Sequence, residues 1–408
     1  MMKKISLLAM VVLFFIGCPS TWKNAARIHI VGGRWELAKE QCLIGTKEIP
    51  ADFEAYALLA KCELGLSNSV AATKAFWEAI KVDSVKTLLW ILADKNYTSS
   101  YWQTFYNSAV LAAAEKTEIK NAEALKDLRI CRQIDSTNVN IFILEGLIYD
   151  QLGNKEASSA AYKKAVQIDP QNPESYFQIG KSYFDSKQYD TALIYFEKSI
   201  KLFATGYENS KKIVFQNVEF DKALAQEIFR LYSAKKNDEL DKIIKVKLGF
   251  DNGWTGQSRN IEKFVRATDG LARSYYYTGI TYYNGQKDTI ALNNLSAALD
   301  LNPDDLDALF FSGEILIKHQ KWTEAQVRFE KVTSIKDDDV VAWFYVGVCL
   351  MQLKDYKKAV SVYEDKVLKY DPKNLDAFTN LAICYRELGD TKKAMEYLVK
   401  KEQILKGK

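Results

Sequence analysis

Few residues in this chain have types from which chemistry could be built. Two histidines, six cysteines and one Gly-Lys-Ser triplet are the candidates. A histidine can shuttle protons or ligate a metal, but it needs a carboxylate or a second ligand at a fixed offset. His29 and His319 have none, and each reads as a structural residue. Gly180-Lys181-Ser182 ends like a phosphate-binding loop, whose lysine reaches a nucleotide's phosphates. The glycine such a loop requires five residues earlier is Ser175, and no strand precedes it. H-E-x-x-H, G-x-S-x-G and dinucleotide-type glycine patterns are absent. The reading is of a chain that is not an enzyme and calls for no cofactor and no metal.

The cysteines divide into one at position 18 and five further on. Met1-Met2-Lys3-Lys4 is a short basic stretch, and Ile5 to Ile16 is apolar but for Ser6. A run so short is the core of an export signal over 1–17, since a membrane span needs about 20 residues. Phe15-Ile16-Gly17-Cys18 resembles the bacterial lipobox, with Phe15 where leucine is usual. That resemblance implies cleavage before Cys18, lipidation of its thiol, and a membrane-anchored place in the cell envelope. The other five cysteines are an odd number without a C-x-x-C, which argues for buried thiols over disulfides or zinc.

Composition bounds the partners. The 408 residues hold 56 Lys plus Arg against 52 Asp plus Glu, a balance of +4 and not the basic excess of a nucleic-acid binder. Hydrophobic residues at 48% with only 6 prolines and 19 glycines favour a folded helical chain.

A period of 34 residues organises the rest. The clearest unit has Tyr176, Ile179-Gly180, Tyr183, Tyr189, Ala192, Phe196 and Ser199. With the first aromatic numbered 4, nine units can be laid down. Position 8 holds Ala26, Ala60, Ala112, Gly146, Gly180, Gly279, Gly313, Gly347 and Ala382. Position 20 holds Ala38, Ala72, Ala124, Ser158, Ala192, Ala291, Ala325, Ala359 and Ala394. Positions 4 and 24 are mostly large, among them Trp22, Tyr56, Phe142, Trp343, Phe76, Tyr162 and Phe329, although Ser108 stands at position 4 of the third unit. Two helices cross closely only where side chains are short, so the columns mark the crossings of helix hairpins. Pro50, Pro170, Pro303 and Pro372 fall at the units' ends, and the unit with Trp343 has one extra residue before Pro372.

This pattern resembles the tetratricopeptide repeat. The resemblance implies an all-α, right-handed superhelical solenoid of about nine hairpins with an inserted helical segment. The organisation expected is an array over 18–206, an insertion or degenerate repeat over 207–269, and a second array over 270–408. An extra helix is expected within Asp83–Tyr97. In the insertion, helices are expected at Phe220–Tyr232 and Asp238–Leu248, with a loop at Gly249–Ser258.

In tetratricopeptide proteins the first helices line a concave groove, mainly through positions 2, 5, 9 and 12. Carried over, these positions give Phe177, Lys181, Phe184, Arg273, Tyr276, Tyr283, Phe310, Glu314, Phe344 and Met351. Aromatics dominate binding hot spots, so the columns suggest a cradle for a peptide or helix unless the insertion fills it. The lysine and asparagine clamp of chaperone-binding members is missing. The resemblance thus implies a non-catalytic scaffold or adaptor whose partners are other envelope proteins, on the periplasmic or outer-membrane face, with the membrane reached through Cys18 and no nucleic acid. Lipoproteins of this kind serve outer-membrane protein assembly, pilus assembly or envelope hydrolase regulation. A rival reading is a surface lipoprotein capturing a glycan or small molecule at Trp254, and a third places an enzyme in the insertion. Oligomeric state is left open.

Overall fold

The computed structural model describes residues 21–406; the leader over 1–17 and Cys18 lie outside the described residues. Among the described residues the regular structure is helical and no strand occurs. The chain divides into two compact units, Met1–Pro170 and Gln171–Lys408.

The first unit contains the hairpins α1 (Thr21–Val31) with α2 (Trp35–Glu48) and α3 (Phe53–Gly65) with α4 (Ser69–Val82). A single helix α5 (Ser84–Ala93) follows, as the apolar run at 85–92 predicts. The hairpins α6 (Thr98–Ala114) with α7 (Glu118–Ile134) and α8 (Val139–Gln151) with α9 (Lys155–Ile168) complete it.

The second unit opens with α10 (Pro173–Asp185) and the long α11 (Tyr189–Val214). The insertion contributes α12 (Lys222–Ser233) and α13 (Asn237–Val246). The 32-residue α14 (Gly253–Asn284) pairs with α15 (Asp288–Leu301) and also packs on α11. Three further pairs close the unit. They are α16 (Leu306–Lys318) with α17 (Trp322–Ile335), α18 (Val340–Gln352) with α19 (Tyr356–Val362), and α20 (Leu375–Glu387) with α21 (Thr391–Leu405).

Local chemistry explains the helix ends. Asn138, Asn172, Asp305, Asp339 and Asn374 precede first helices, and each side chain accepts a hydrogen bond from a backbone N–H of the first turn. The turn inside each hairpin carries one residue at positive φ, a glycine at 33, 153 and 389 and a longer side chain in the others.

Both small-residue columns lie in the core, since every member is buried. A Cβ added to Gly146, Gly180, Gly313 or Gly347 would fall 2.3, 2.6, 2.6 or 2.5 Å from Tyr162, Phe196, Phe329 or Tyr363. Position 8 is therefore the floor on which the ring at position 24 of the same hairpin rests. Those rings are fully buried, whereas Leu398 in the last hairpin is 41% exposed, as a terminal hairpin requires.

Two irregularities have physical causes. In the third hairpin both helices have 17 residues, one turn more than the 13 and 14 of α3 and α4. Its left-handed turn residue is Lys116, three residues before the place a strict period assigns. The second helix keeps the periodic register, with Ala124 and Leu128 buried, but the first helix is displaced by three. The ring at position 4 is therefore Phe105 and the small residue at position 8 is Ala109, both fully buried, in place of Ser108 and Ala112. In the unit of Trp343, a π-helical turn (Tyr363–Val367) interrupts the second helix, which ends with Leu368–Tyr370. Such a turn absorbs one extra residue, and this is the residue by which the unit exceeds the period.

The insertion has a core of its own. Val214, Ile228, Leu240, Ile244 and Phe264 pack together, joining α12 and α13 to the extended parts of α11 and α14. Both expected array boundaries, 206/207 and 269/270, fall inside helices, in α11 and α14. The expected loop at Gly249–Ser258 shortens to residues 247–252, because α14 begins at Gly253. The Trp254 N–H donates to the Asp241 carboxylate at 2.7 Å, so a side chain of α13 caps the first turn of α14.

Candidate functional site

The residues expected to line a groove in the second unit sit on α10, α14, α16 and α18. Their surroundings divide them. Phe177 is 2% exposed, so it corrects the expectation of a groove contact. Its ring packs 6.0 Å from Phe196 and 5.4 Å from Tyr277, with the Arg273 guanidinium 4.6 Å above it. Position 5 faces its own hairpin's position 24, and here nothing of the ring is left over. Arg273 is held by Glu174 and Asp269 at 3.1 and 2.7 Å. Lys181 pairs with Asp185 at 2.8 Å, and Phe184 lies against Tyr189 and Tyr277.

Tyr276, Tyr283, Phe310, Glu314, Phe344 and Met351 are half-buried and therefore retain accessible surface. Phe310 meets Phe329 and Tyr345 edge-on at 5.4 and 5.8 Å. Phe344 does the same to Tyr345 and Tyr363 at 6.1 and 5.8 Å. Tyr363 donates its hydroxyl to the Met351 sulfur at 3.4 Å. The rings in these columns are anchored from behind by the core, which fixes their rotamers and limits the entropy lost on covering them.

Reading positions 2, 5, 9 and 12 leaves out position 6. Tyr277, Phe311 and Tyr345 occupy it in consecutive units and carry the contacts between hairpins. Tyr345 stacks on Phe329 of the preceding hairpin at 4.8 Å, and Tyr277 lies 5.7 Å from Phe196. Phe311 touches both Tyr276 and Tyr283. Three aromatics at one position in successive units were the available signal.

Carboxylates set the electrostatics. Glu314 is half-buried, and loss of water pushes its carboxyl pKa above the ordinary value. It makes no ion pair among the described residues. Burial, then its charge, raises the phenols of Tyr283 on α14 and Tyr345 on α18. Burial, then Asp307 and Asp305, raises Tyr276. Aromatic faces beside an unpaired carboxylate can accept a cation, through ring quadrupole and charge together.

The other candidates have structural surroundings. His319 Nε2 lies 3.0 Å from Asp288, which also holds Lys318 at 2.6 Å, tying the end of α16 to the start of α15. Cys42, Cys62, Cys131, Cys349 and Cys384 are buried free thiols. The Cys42 and Cys62 sulfurs are 4.0 Å apart, and this contact with burial pushes the Cys42 thiol far up. Trp254 is half-buried against Tyr232 at 6.1 Å. Among the described residues no cluster of side chains could hold a metal ion, and no helix is long and apolar enough to cross a membrane.

Sequence-family profiles match at four places. One described as "TPR repeat" covers 146–187, and three described as "Tetratricopeptide repeat" cover 173–205, 278–326 and 350–400. The chain therefore contains tetratricopeptide repeats. It is similar to tetratricopeptide repeat protein 6 of Homo sapiens, 30% identical over 20% of this chain and 15% of that protein. It is also similar to the BBSome complex member BBS4 homolog of Drosophila melanogaster, 23% identical over 47% and 40%. The chain thus spans less than half the length of these relatives. Among solved structures it is similar to Pseudomonas aeruginosa pilF, 11% identical, covering 68% of this chain and 96% of that one, with a TM-score of 0.44. YrrB, a TPR protein with an unusual peptide-binding site, is 18% identical, covering 60% of this chain and 93% of that one, with a TM-score of 0.42.

Proposed function

We propose that this protein is a non-catalytic interaction scaffold, anchored by a lipid on Cys18 in a bacterial cell envelope, and that its second unit binds a partner peptide or helix. The observation that carries the reading is the set of half-buried rings on successive first helices, Tyr276 and Tyr283 on α14, Phe310 on α16 and Phe344 on α18, with the half-buried Glu314 in the same columns on α16. Rigid rings with apolar area left over are where binding energy concentrates. The carboxylate selects among partners, favouring a segment that places a lysine or arginine at Glu314.

The test is capture from cross-linked membranes with the full chain, comparing wild type with Glu314→Lys and Tyr276→Ala combined. The variant should recover at least about tenfold less of a defined partner while keeping its helix content. Equal recovery of the same partner would remove the assignment. Cys18→Ser should release the protein from the membrane fraction, and unchanged fractionation would remove the anchor.

A further inference from the structure

The first unit has a cleft that the reading above does not use. It has a volume of about 930 Å³, and α4 and α7, the second helices of consecutive hairpins, run along its sides over α6. Val70, Trp77 and Ile80 of α4, Leu111 and Ala112 of α6 and Ile130 of α7 supply its apolar walls. A smaller cavity of about 190 Å³ shares Ile80 and Ile130 and continues onto Val85, Leu88, Leu89 and Ile91, placing the extra helix α5 at its end.

The lengthened third hairpin is what opens it. In the corrected register Leu111 stands at position 10, where Cys62, Ile148, Cys349 and Cys384 are buried, yet Leu111 is 62% exposed. Val70, Val85 and Leu89 are exposed beside it. Below them, Trp77 Nε1–H donates to the buried Asp127 carboxylate at 2.7 Å and bridges α4 to α7, which fixes the width. The lining runs from Ser69 to Lys81 on one side and from Lys120 to Gln133 on the other, about 20 Å at the rise of a helix.

Charge on the rim is one-sided. Lys81 is neutralised by Glu78, and Lys120 by Glu115 and Glu123. Lys74, Lys126 and Arg129 are exposed and make no ion pair among the described residues. The geometry points to a second docking site: the α4–α7 cleft receives an amphipathic helix of about 13 residues from a partner protein, leucine-type side chains down and acidic residues along its flanks. The apolar floor matches one face of such a helix in length, and the three free cations match its flanks.

The probe is a capped, fluorescein-labelled peptide of about 14 residues, with leucines at i, i+3, i+4 and i+7 and glutamates on both flanks. Fluorescence anisotropy with the full chain should show saturable binding. Leu111→Glu, at an exposed position, should weaken it about tenfold or more, with helix content unchanged by circular dichroism. Lys126→Glu with Arg129→Glu should weaken the glutamate peptide about tenfold and restore binding to a lysine-flanked version. No binding, equal binding of a leucine-scrambled peptide, or indifference to both variants would overturn the proposal. Uptake of dodecanoate that Leu111→Glu abolishes, without peptide binding, would assign the cleft to a fatty acid and overturn it equally.

Discussion

The hairpin of α16 and α17 and that of α6 and α7 are built from the same pattern and differ by one helical turn. In the first, Gly313 lies under the Phe329 ring, the turn at Gln320 falls where the period places it, and Ile315 at position 10 is fully buried. In the second, the turn comes at Lys116, Phe105 and Ala109 take over the packing, and Leu111 is left in solvent. The contrast separates two tasks. A hairpin in strict register buries its side chain at position 10, and its first-helix rings keep only the part of their surface that the core does not hold. A hairpin with one added turn keeps its second helix in line with its neighbours and raises an apolar side chain that nothing in the unit covers.

The largest effects should come from the rings that the two registers bury. Phe329→Ala and Phe105→Ala are each expected to cost about 3–5 kcal/mol in urea unfolding, as large cavities in a closed core do. Leu398→Ala and Leu111→Ala, at exposed sites, should stay within about 1 kcal/mol. If Leu111→Ala proved as costly as Phe105→Ala, the displaced register of α6 would be wrong.

Next comes the floor. A methyl at Gly313 would sit 2.6 Å from Phe329, so Gly313→Ala should destabilise by about 1–3 kcal/mol although alanine is the better helix former. Adding Phe329→Leu should recover part of that loss, because the clash partner retreats. Purely additive losses in this double-mutant cycle would show that positions 8 and 24 do not meet.

Much of this was legible beforehand. Residue size at positions 8 and 20 predicted the crossings, Asp83–Tyr97 predicted α5, and one surplus residue before Pro372 left its mark as a π-turn. What the period concealed was the third hairpin. Alanine is so frequent in α6 that a column of small residues could be completed at Ala112 as readily as at Ala109, and only the misplaced Ser108 at a ring position hinted at the slip. Phe177 departs from its expected place for a related reason. Position 5 looks outward in a helical projection, but its ring can bend back onto position 24, and pattern alone does not say how far. Gly249–Ser258 read as a loop from its glycines, because the carboxylate that caps Gly253 onward comes from Asp241 on another helix.

A smaller difference lies in buried charge. Asp127 beneath the cleft has its pKa raised by burial, against the hydrogen bonds from Ser108 and Trp77. Asp288, at the start of α15, has its pKa lowered by its bond to Lys318. The signs oppose. A raised folded pKa means stability that is present below the unfolded carboxyl value and lost as pH rises through the folded one. A lowered one means stability present above the unfolded value and lost as pH falls through the folded one. The surroundings of Asp127 should therefore gain from mild acidification that does not help the Asp288 contact. Asp127→Asn retains an acceptor for Trp77 and should add about 1 kcal/mol at pH 7 while flattening the first unit's pH dependence, read by hydrogen exchange of α7 amides. A loss of stability at pH 7 would show that the charge is needed by the bridge.

The smallest effect tests the turns. Lys354 and Gly389 end α18 and α20 with the same pair of bonds: Lys354 N–H to Met351 O and Asp355 N–H to Leu350 O, and Gly389 N–H to Arg386 O and Asp390 N–H to Tyr385 O. Both backbones are left-handed, at φ 60° and 84°. A lysine there carries a steric cost of about 1 kcal/mol that glycine avoids. Glycine in turn gives the unfolded chain more freedom to lose, about 0.4–1 kcal/mol in the opposite direction. Lys354→Gly should therefore stabilise by no more than about 0.5 kcal/mol, while Gly389→Lys should destabilise by a similar amount, because the bonding is identical at the two sites. A much larger gain at Lys354 would mean that the side chain is strained by more than its own backbone, and that the two turns are not equivalent after all.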